Sequence, residues 1–305
     1  MKLLKLKRWI QNKIKYFNEL NTDYIIKRFT YVLKAERLNE IAINSKESGV
    51  SDTRYCDNEI IVSLTTYGER LRTVHLSIES IMQQTIKPNK IILSISDDYK
   101  NSNIPQVLLN QQKRGLEINF CRDIKSYTKL IPALKKYPLA TIITIDDDHL
   151  YNYDLIENLL NEHKKNPHLI LAARIHRMKL RSDKKLEKYS KWIDRYKGLD
   201  ISPLNFPTGI GGVLYPPDCF NEEVFNEEIF FNICKYADDV WFKAMALLNG
   251  TMSKKIFISE ETGADNFCID NTQNFTLSHI NRDKNMNDIQ LKAVFEKYNL
   301  YDKLI

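Results

Sequence analysis

Thr141-Ile-Ile-Thr-Ile-Asp-Asp-Asp148 runs from apolar, β-branched residues straight into three consecutive carboxylates. The first part reads as a buried strand. Three adjacent acids at its tip repel one another and lose hydration. A divalent cation is the natural compensation, since Mg²⁺ and Mn²⁺ take carboxylate oxygens together with substrate phosphates. Alternation along a strand points Asp146 and Asp148 the same way. An acidic turn without a ligand is the plain alternative.

Outward from this stretch, strands and helices alternate. Ile60-Ile-Val-Ser-Leu-Thr-Thr66 is a second apolar run, ended by Tyr67-Gly68. Leu71, Val74, Ile78 and Ile81 share one face of a following helix, which Lys87-Pro-Asn89 breaks. Lys90-Ile-Ile-Leu-Ser-Ile-Ser96 is a strand ending in Asp97-Asp98. Helices are expected over 127–137 and 153–164, and a strand over 169–173. This order predicts an α/β domain with a largely parallel sheet. Ligands of such sheets bind beyond the carboxyl ends of the strands. Three of those ends carry chemistry: Thr65-Thr66, Asp97-Asp98 and Asp146–Asp148.

Beyond residue 175 the pattern loosens. Residues 178–200 are charged and read as a loop or irregular helix. Gly209-Ile-Gly-Gly212 holds three of the chain's nine glycines and precedes the strand Val213-Leu-Tyr215. Glycine there lets the backbone approach a ligand or make a tight turn. Asp238-Asp239 opens a helix that ends at Asn249-Gly250. Acids at a helix start suit its dipole, and one of them can also serve as a general base toward a hydroxyl. A last strand is expected over 255–259. No Gly-x-Gly-x-x-Gly follows the first strand and no Gly-x-x-x-x-Gly-Lys-Ser/Thr occurs, so dinucleotide oxidoreductase and P-loop readings lack support.

Charge is unevenly placed along the 305 residues. Residues 1–37 hold ten Lys/Arg against three acids, a net of +7, which leaves −1 for the rest of a chain of net charge +6. A neutral body argues against a nucleic-acid partner. Residues 1–45 read as a basic amphipathic helix with Leu3, Leu6, Ile10, Ile14 and Phe17 on one face. It is suited to an anionic membrane, to the chain's own body or to self-association. The polar segment Ser45-Lys-Glu-Ser-Gly-Val-Ser-Asp52 divides a helical arm, residues 1–50, from a domain of residues 51–305. That domain is expected to have two halves, 51–150 and 151–305. Cysteines 56, 121, 219, 234 and 268 make no Cys-x-x-Cys pair and read as reduced thiols. No apolar run reaches the ~20 residues of a membrane span, and the start lacks the features of a secretory signal. The expected compartment is the cytoplasm, with peripheral contact at the inner face of the membrane.

From about residue 58 to 250 the chain resembles bacterial family-2-like glycosyltransferases of the GT-A fold. The resemblance is carried by Val62-Ser-Leu-Thr-Thr-Tyr-Gly-Glu-Arg70, Ser77-Ile-Glu-Ser-Ile-Met-Gln-Gln-Thr85 with Pro88, Ile145-Asp-Asp-Asp148, Gly211-Gly-Val-Leu-Tyr-Pro-Pro217 and Ala237-Asp-Asp-Val-Trp241. It implies a Rossmann-like, mostly parallel central sheet flanked by helices, with 51–150 as the nucleotide-binding half and 151–305 as the acceptor-binding half. It also implies transfer of a sugar from a nucleotide-sugar, a UDP-sugar foremost, to a hydroxyl of a saccharide or glycolipid acceptor with inversion, in cell-surface polysaccharide or glycolipid synthesis. Thr65, Tyr67, Arg70, Asp97, Asp98, Lys129, Asp146, Asp147, Gly211 and Gly212 would then contact the donor. Asp146 and Asp148 match the family's Asp-x-Asp motif for Mn²⁺ or Mg²⁺, and His279 is a candidate further ligand. Asp238 or Asp239 matches the base; the family's Glu-Asp pair is Asp-Asp here, and its second position favours Asp239. His149, Arg174, His176 and Arg177 are expected to flank the cleft.

Two rival readings differ in class. A haloacid-dehalogenase-like phosphatase also places Asp-x-Asp after a strand, but wants it near the chain start with Thr or Val where Leu150 stands. An inactive transferase relative acting as an assembly partner would not need acids at both motifs.

Overall fold

The computed structural model describes residues 2–258, 267–270 and 285–305. Its centre is a seven-stranded sheet. β1 (Ile60–Thr65) lies between β2 (Lys90–Ser96) and β4 (Thr141–Thr144), parallel to both. β3 (Leu116–Cys121) extends the sheet parallel to β2. On the other side β9 (Val213–Tyr215) runs antiparallel between β4 and β6 (Ile170–Ala172), and β10 (Ser253–Lys255) pairs parallel with β6. Two short antiparallel pairs complete the strands: β5 (His149–Leu150) with β11 (Phe267–Cys268), and β7 (Ile175–Arg177) with β8 (Asn205–Pro207). The expected α/β architecture is present, with one antiparallel strand in an otherwise parallel sheet.

β1 shows why the apolar run folds this way. Ile60, Val62 and Leu64 face one apolar layer and Ile61 the other, all four fully buried. A parallel strand covered on both faces has no polar side to alternate with. The first layer receives α2 (Val74–Met82) and α5 (Leu155–His163) through Ile78, Ile81, Ile156 and Leu159. The second receives α4 (Ile131–Lys136), α7 (Asp238–Asn249) and α8 (Met286–Lys297) through Ile131, Trp241 and Val294. Two further helices of seven residues each, α3 (Gln106–Gln112) and α6 (Glu227–Ile233), contact α2 and α8 respectively.

The arm is helix α1 (Lys2–Asn44), about 65 Å long at the usual rise. Tyr31, Leu38 and Ala42 are buried on its inner face, where Tyr31 and Leu38 cluster with Leu150 and Ile269. The segment after it is held to the body. Gly49 N donates to Arg114 O at 2.8 Å and Arg114 Nε to Glu47 O at 2.7 Å. The Arg114 guanidinium grips Glu79 through two bonds of 2.8 Å, both side chains inaccessible to water.

Differences from the expected elements have local causes. The helix expected over 127–137 is a 3-10 turn, Lys125–Lys129, followed by α4. Pro132 has no N–H and a fixed φ, so it starts a helix rather than continuing one. The strand expected over 255–259 starts two residues earlier, at Ser253–Lys255, paired to β6; residue 259 lies outside the described residues, and β11 follows it in the chain. Among the described residues no helix is long and apolar enough to cross a membrane.

Candidate active site

Strands β1 and β4 are registered so that their carboxyl ends emerge side by side, with Ser63 opposite Thr144. Their loops therefore meet. Thr66 Oγ1 donates to Asp147 Oδ2 at 2.6 Å. The 3-10 turn Gly68–Arg72 brings Arg70 under the acids, where Nη1 lies 2.8 Å from Asp147 Oδ1 and 3.2 Å from Asp148 Oδ2. Burial raises Asp147 to about 6, although Arg70 and Thr66 pull in the opposite direction. The Asp146 amide donates to the Tyr151 hydroxyl at 2.7 Å, which fixes the turn.

Asp146 and Asp148 group with His149. One donor atom from each lies within 4.8 Å of the others. His149 Nδ1 bonds Asp148 Oδ1 at 2.5 Å, and Nε2 lies 3.3 Å from Cys268 Sγ across the β5–β11 pair. Burial lowers the basicity of this imidazole, but the bonds to Asp148 and Cys268 and the nearby carboxylates outweigh it and raise His149 to about 10. Two carboxylates and one imidazole form a donor set that suits Mn²⁺ and, less well, Mg²⁺. To ligate a cation, His149 gives up its proton. Asp147 is already committed to Thr66 and Arg70.

A second group of charges faces the first. Lys129 Nζ stands 3.0 Å from Asp238 Oδ2 and 3.6 Å from Asp146 Oδ1. Burial disfavours the ammonium, yet Asp238, Asp146 and Asp239 more than offset this, so its pKa is raised and it stays charged. Asp238 and Asp239 occupy the first turn of α7, a favourable position for negative charge. Their side chains diverge. Asp238 meets Lys129, while Asp239 Oδ2 accepts from the Gly209 amide at 3.1 Å. Asp239 keeps part of its surface open, but loss of hydration and the charge of Asp238 push it up to about 7. A carboxylate poised there exchanges protons readily near neutrality.

Gly209 sits where these charges converge. A Cβ on it would lie 2.6 Å from Lys129 Nζ, 3.3 Å from Asp239 Oδ1 and 3.7 Å from Asp146 Oδ1. Gly211 and Gly212 do different work. Both have φ near +100°, a region that favours glycine, and a Cβ on Gly212 would come within 3.1 Å of Leu155. They feed the chain into β9 close against α5.

The remaining candidates spread along the rim. Thr65 Oγ1 donates to Ser94 O at 2.7 Å, tying β1 to β2. Tyr67 is exposed, with the Arg70 guanidinium 5.9 Å from its ring. Asp97 pairs with Lys100, and Asp98 accepts from Ser96 Oγ. The Gly68 amide donates to Tyr99 Oη at 2.7 Å, which joins the β1 and β2 loops. Arg174 and His176 lie within 3.9 and 3.2 Å of Asp194, and Arg177 pairs with Asp200. His279 lies outside the described residues. The sequence names none of Gly209, Thr66, Tyr151 and Cys268 as a site residue, although Thr66, at the end of the first strand, and Gly209, inside the glycine cluster, each carry a signal.

No family model matches the chain, and no curated protein matches its sequence. Among solved structures it is similar to S. aureus TarS 1-349, at 14% identity and a TM-score of 0.42, over 66% of this chain and 58% of that one. The same TarS chain has been solved with UDP and with UDP-GlcNAc. A mannosyltransferase from Pyrobaculum calidifontis in complex with GDP-Man and Mn²⁺ is 14% identical, with a TM-score of 0.49 over 87% of this chain and 70% of that one. CMP:2-keto-3-deoxy-manno-octonic acid synthetase complexed with CTP is 11% identical, with a TM-score of 0.38 over 65% of this chain and 88% of that one. The chain thus spans 58% of the length of TarS 1-349.

Proposed function

We propose that this chain is a metal-dependent glycosyltransferase that moves a sugar from a nucleotide-sugar to an acceptor hydroxyl with inversion. The observation that carries the reading is the pairing of two acidic groups across one cleft. A donor set for a divalent cation, Asp146, Asp148 and His149, stands at the tip of β4. A near-neutral carboxylate, Asp239, stands at the start of α7, with Lys129 tied to both groups.

The division of labour follows from the chemistry. Asp146, Asp148 and His149 would hold Mn²⁺ or Mg²⁺, which supplies neutralising charge for a departing diphosphate. Asp239 accepts the proton of the acceptor hydroxyl as that oxygen bonds the anomeric carbon and the nucleoside diphosphate leaves. Its bond to the Gly209 amide orients the carboxylate. Lys129 keeps Asp238 and Asp146 at fixed separation without joining the reaction. Arg70 and Thr66 hold Asp147, and so set the backbone from which Asp146 and Asp148 project. Thr65, Tyr67, Asp97 and Asp98 form the rim for the nucleoside, with Gly211 and Gly212 shaping the opposite wall. A UDP-sugar is the first donor to test. The acceptor is a saccharide or glycolipid destined for the cell surface.

Thermal melting tests the binding half of this reading. UDP with Mn²⁺ is expected to raise the melting temperature more than either alone, and inorganic phosphate with Mn²⁺ is not. A response equal for phosphate and for every nucleotide would favour the phosphatase reading instead.

A further inference from the structure

Between Tyr24 and Asn44 helix α1 is apolar on two faces, one covered by the body and one exposed. Tyr31, Leu38 and Ala42 pack against the body. Arg28 fixes the same stretch through two bonds of 2.6 Å to Asp270, and Lys34 Nζ donates to Tyr151 O at 2.8 Å. The helix cannot roll without breaking these ties. Its other face presents Ile25, Ile26, Phe29 and Leu33 to water, exposed by 63%, 57%, 66% and 58%. The four-residue spacing of Ile25, Phe29 and Leu33 makes them one line along the helix. Contiguous large apolar side chains on a surface mark an interaction site.

The sequence upstream says what the face meets. Eighteen residues, five helical turns, before Ile25, Ile26 and Leu33 stand Lys7, Arg8 and Lys15. By the helical repeat the same line therefore passes from cationic to apolar positions. Residues 2–18 contain six Lys/Arg and no acid. A second copy of this helix docked in parallel would bring like charges together. An anionic bilayer offers phosphates to the cations and an acyl boundary to the apolar residues.

We propose that the outward face of α1, centred on Ile25, Phe29 and Leu33, docks on an anionic lipid surface. Through Asp270 and the β5–β11 pair the docked helix is tied to His149 in the acidic site. On the transferase reading, this would present the cleft to a lipid-carried acceptor. The docking itself does not depend on that reading.

Vesicle sedimentation of the full chain, with no nucleotide or sugar present, tests the proposal. The chain is expected to pellet with phosphatidylcholine vesicles containing phosphatidylglycerol and to stay in solution with phosphatidylcholine alone. About 0.5 M salt should weaken the binding. Phe29→Gln with Leu33→Gln should reduce partitioning about a hundredfold, about tenfold per buried large side chain, at an unchanged melting temperature. Lys7→Gln, Arg8→Gln and Lys15→Gln together should reduce it on anionic vesicles while leaving the body's fold untouched. Failure of the unaltered chain to bind anionic vesicles overturns the proposal. So does equal binding by the Phe29/Leu33 variant. A dimer in sedimentation equilibrium that the Phe29/Leu33 variant splits assigns the face to a second copy instead.

Discussion

The amide of Gly209 donates to Asp239 Oδ2 at 3.1 Å, and a Cβ at 209 would lie 2.6 Å from Lys129 Nζ, so any side chain there pushes the ammonium aside. Gly209 thus packs directly against Lys129, Asp239 and Asp146. Gly209→Ala should leave the fold in place, since the φ of this residue is not in the left-handed region. It should displace Lys129 and Asp239 together. Misplacement of this order costs about 10²-fold in rate. Parallel measurement of transfer rate and melting temperature checks this: a lower rate at an unchanged melting temperature is expected.

Asp238 and Asp239 should differ in kind. Asp239→Asn keeps the shape of the base and removes its basicity, so transfer should fall by about 10²–10⁴ while UDP–Mn²⁺ affinity holds. Asp238→Asn removes the nearest carboxylate partner of the Lys129 ammonium, which leaves Asp146 at 3.6 Å and the charge of Asp239. That variant should lose stability as well as rate. Calorimetric affinities and melting curves for the two variants side by side distinguish the roles. Loss of transfer confined to Asp238→Asn would move the base one residue back.

The raised pKa of Asp239 carries a pH signature. Above the unfolded carboxylate value of ~4 and below about 7, the folded state binds the proton that the unfolded state has released. Stability from this group is therefore complete at low pH and is lost as pH rises through about 7. Activity moves the other way, because the base works only when ionised. The difference in melting temperature between the unaltered chain and Asp239→Asn should shift against the unaltered chain from pH 5 to pH 8, while its transfer rate climbs over the same interval.

Charge counting along the sequence predicts that removing Asp148 relieves repulsion and leaves stability equal or higher. In the structure Asp148 is paired with Arg70 at 3.2 Å and with His149. Asp148→Ala should therefore lower the melting temperature in metal-free buffer. It should also weaken Mn²⁺ binding, read by electron paramagnetic resonance independently of turnover. Unchanged Mn²⁺ affinity would remove Asp148 from the ligand set.

Glu79 and Arg114 test the fold away from the site. Their pair is shut off from water, and Gln111 Nε2 also donates to Glu79 at 2.9 Å. Glu79→Leu leaves a buried guanidinium uncompensated and should cost about 3–5 kcal/mol in urea denaturation. Adding Arg114→Leu should recover part of that loss.

What could be read from sequence follows from how each feature is encoded. The junction Ile145-Asp146 is legible because burial and charge change at a single bond. The run Ile60–Leu64 is legible because a doubly covered strand is apolar throughout. The strand Leu116–Cys121 is less legible although Leu116, Ile118 and Phe120 alternate, because it lies at the sheet edge and is mostly half-buried, with polar residues between. The pairs Ile175–Arg177 and Asn205–Pro207 are three residues each, too short for any period to show. Pairings that build the site were out of reach for another reason. Arg70 meets Asp147 across 77 residues, and Cys268 meets His149 across 119. Nothing local announces them. Gly209 stood in view among its neighbours, but only the position of Lys129 separates its task from that of Gly211 and Gly212.

Turnover of nucleotide-sugars tests the central claim most directly. UDP-, GDP-, CMP- and dTDP-sugars are incubated with the chain and Mn²⁺, and release of the nucleotide is followed by mass spectrometry. One donor class is expected to be consumed, with the reaction stopped by chelation and abolished in Asp148→Ala. Consumption of none of them with Mn²⁺ or Mg²⁺, or consumption indifferent to both chelator and Asp148→Ala, would contradict the account.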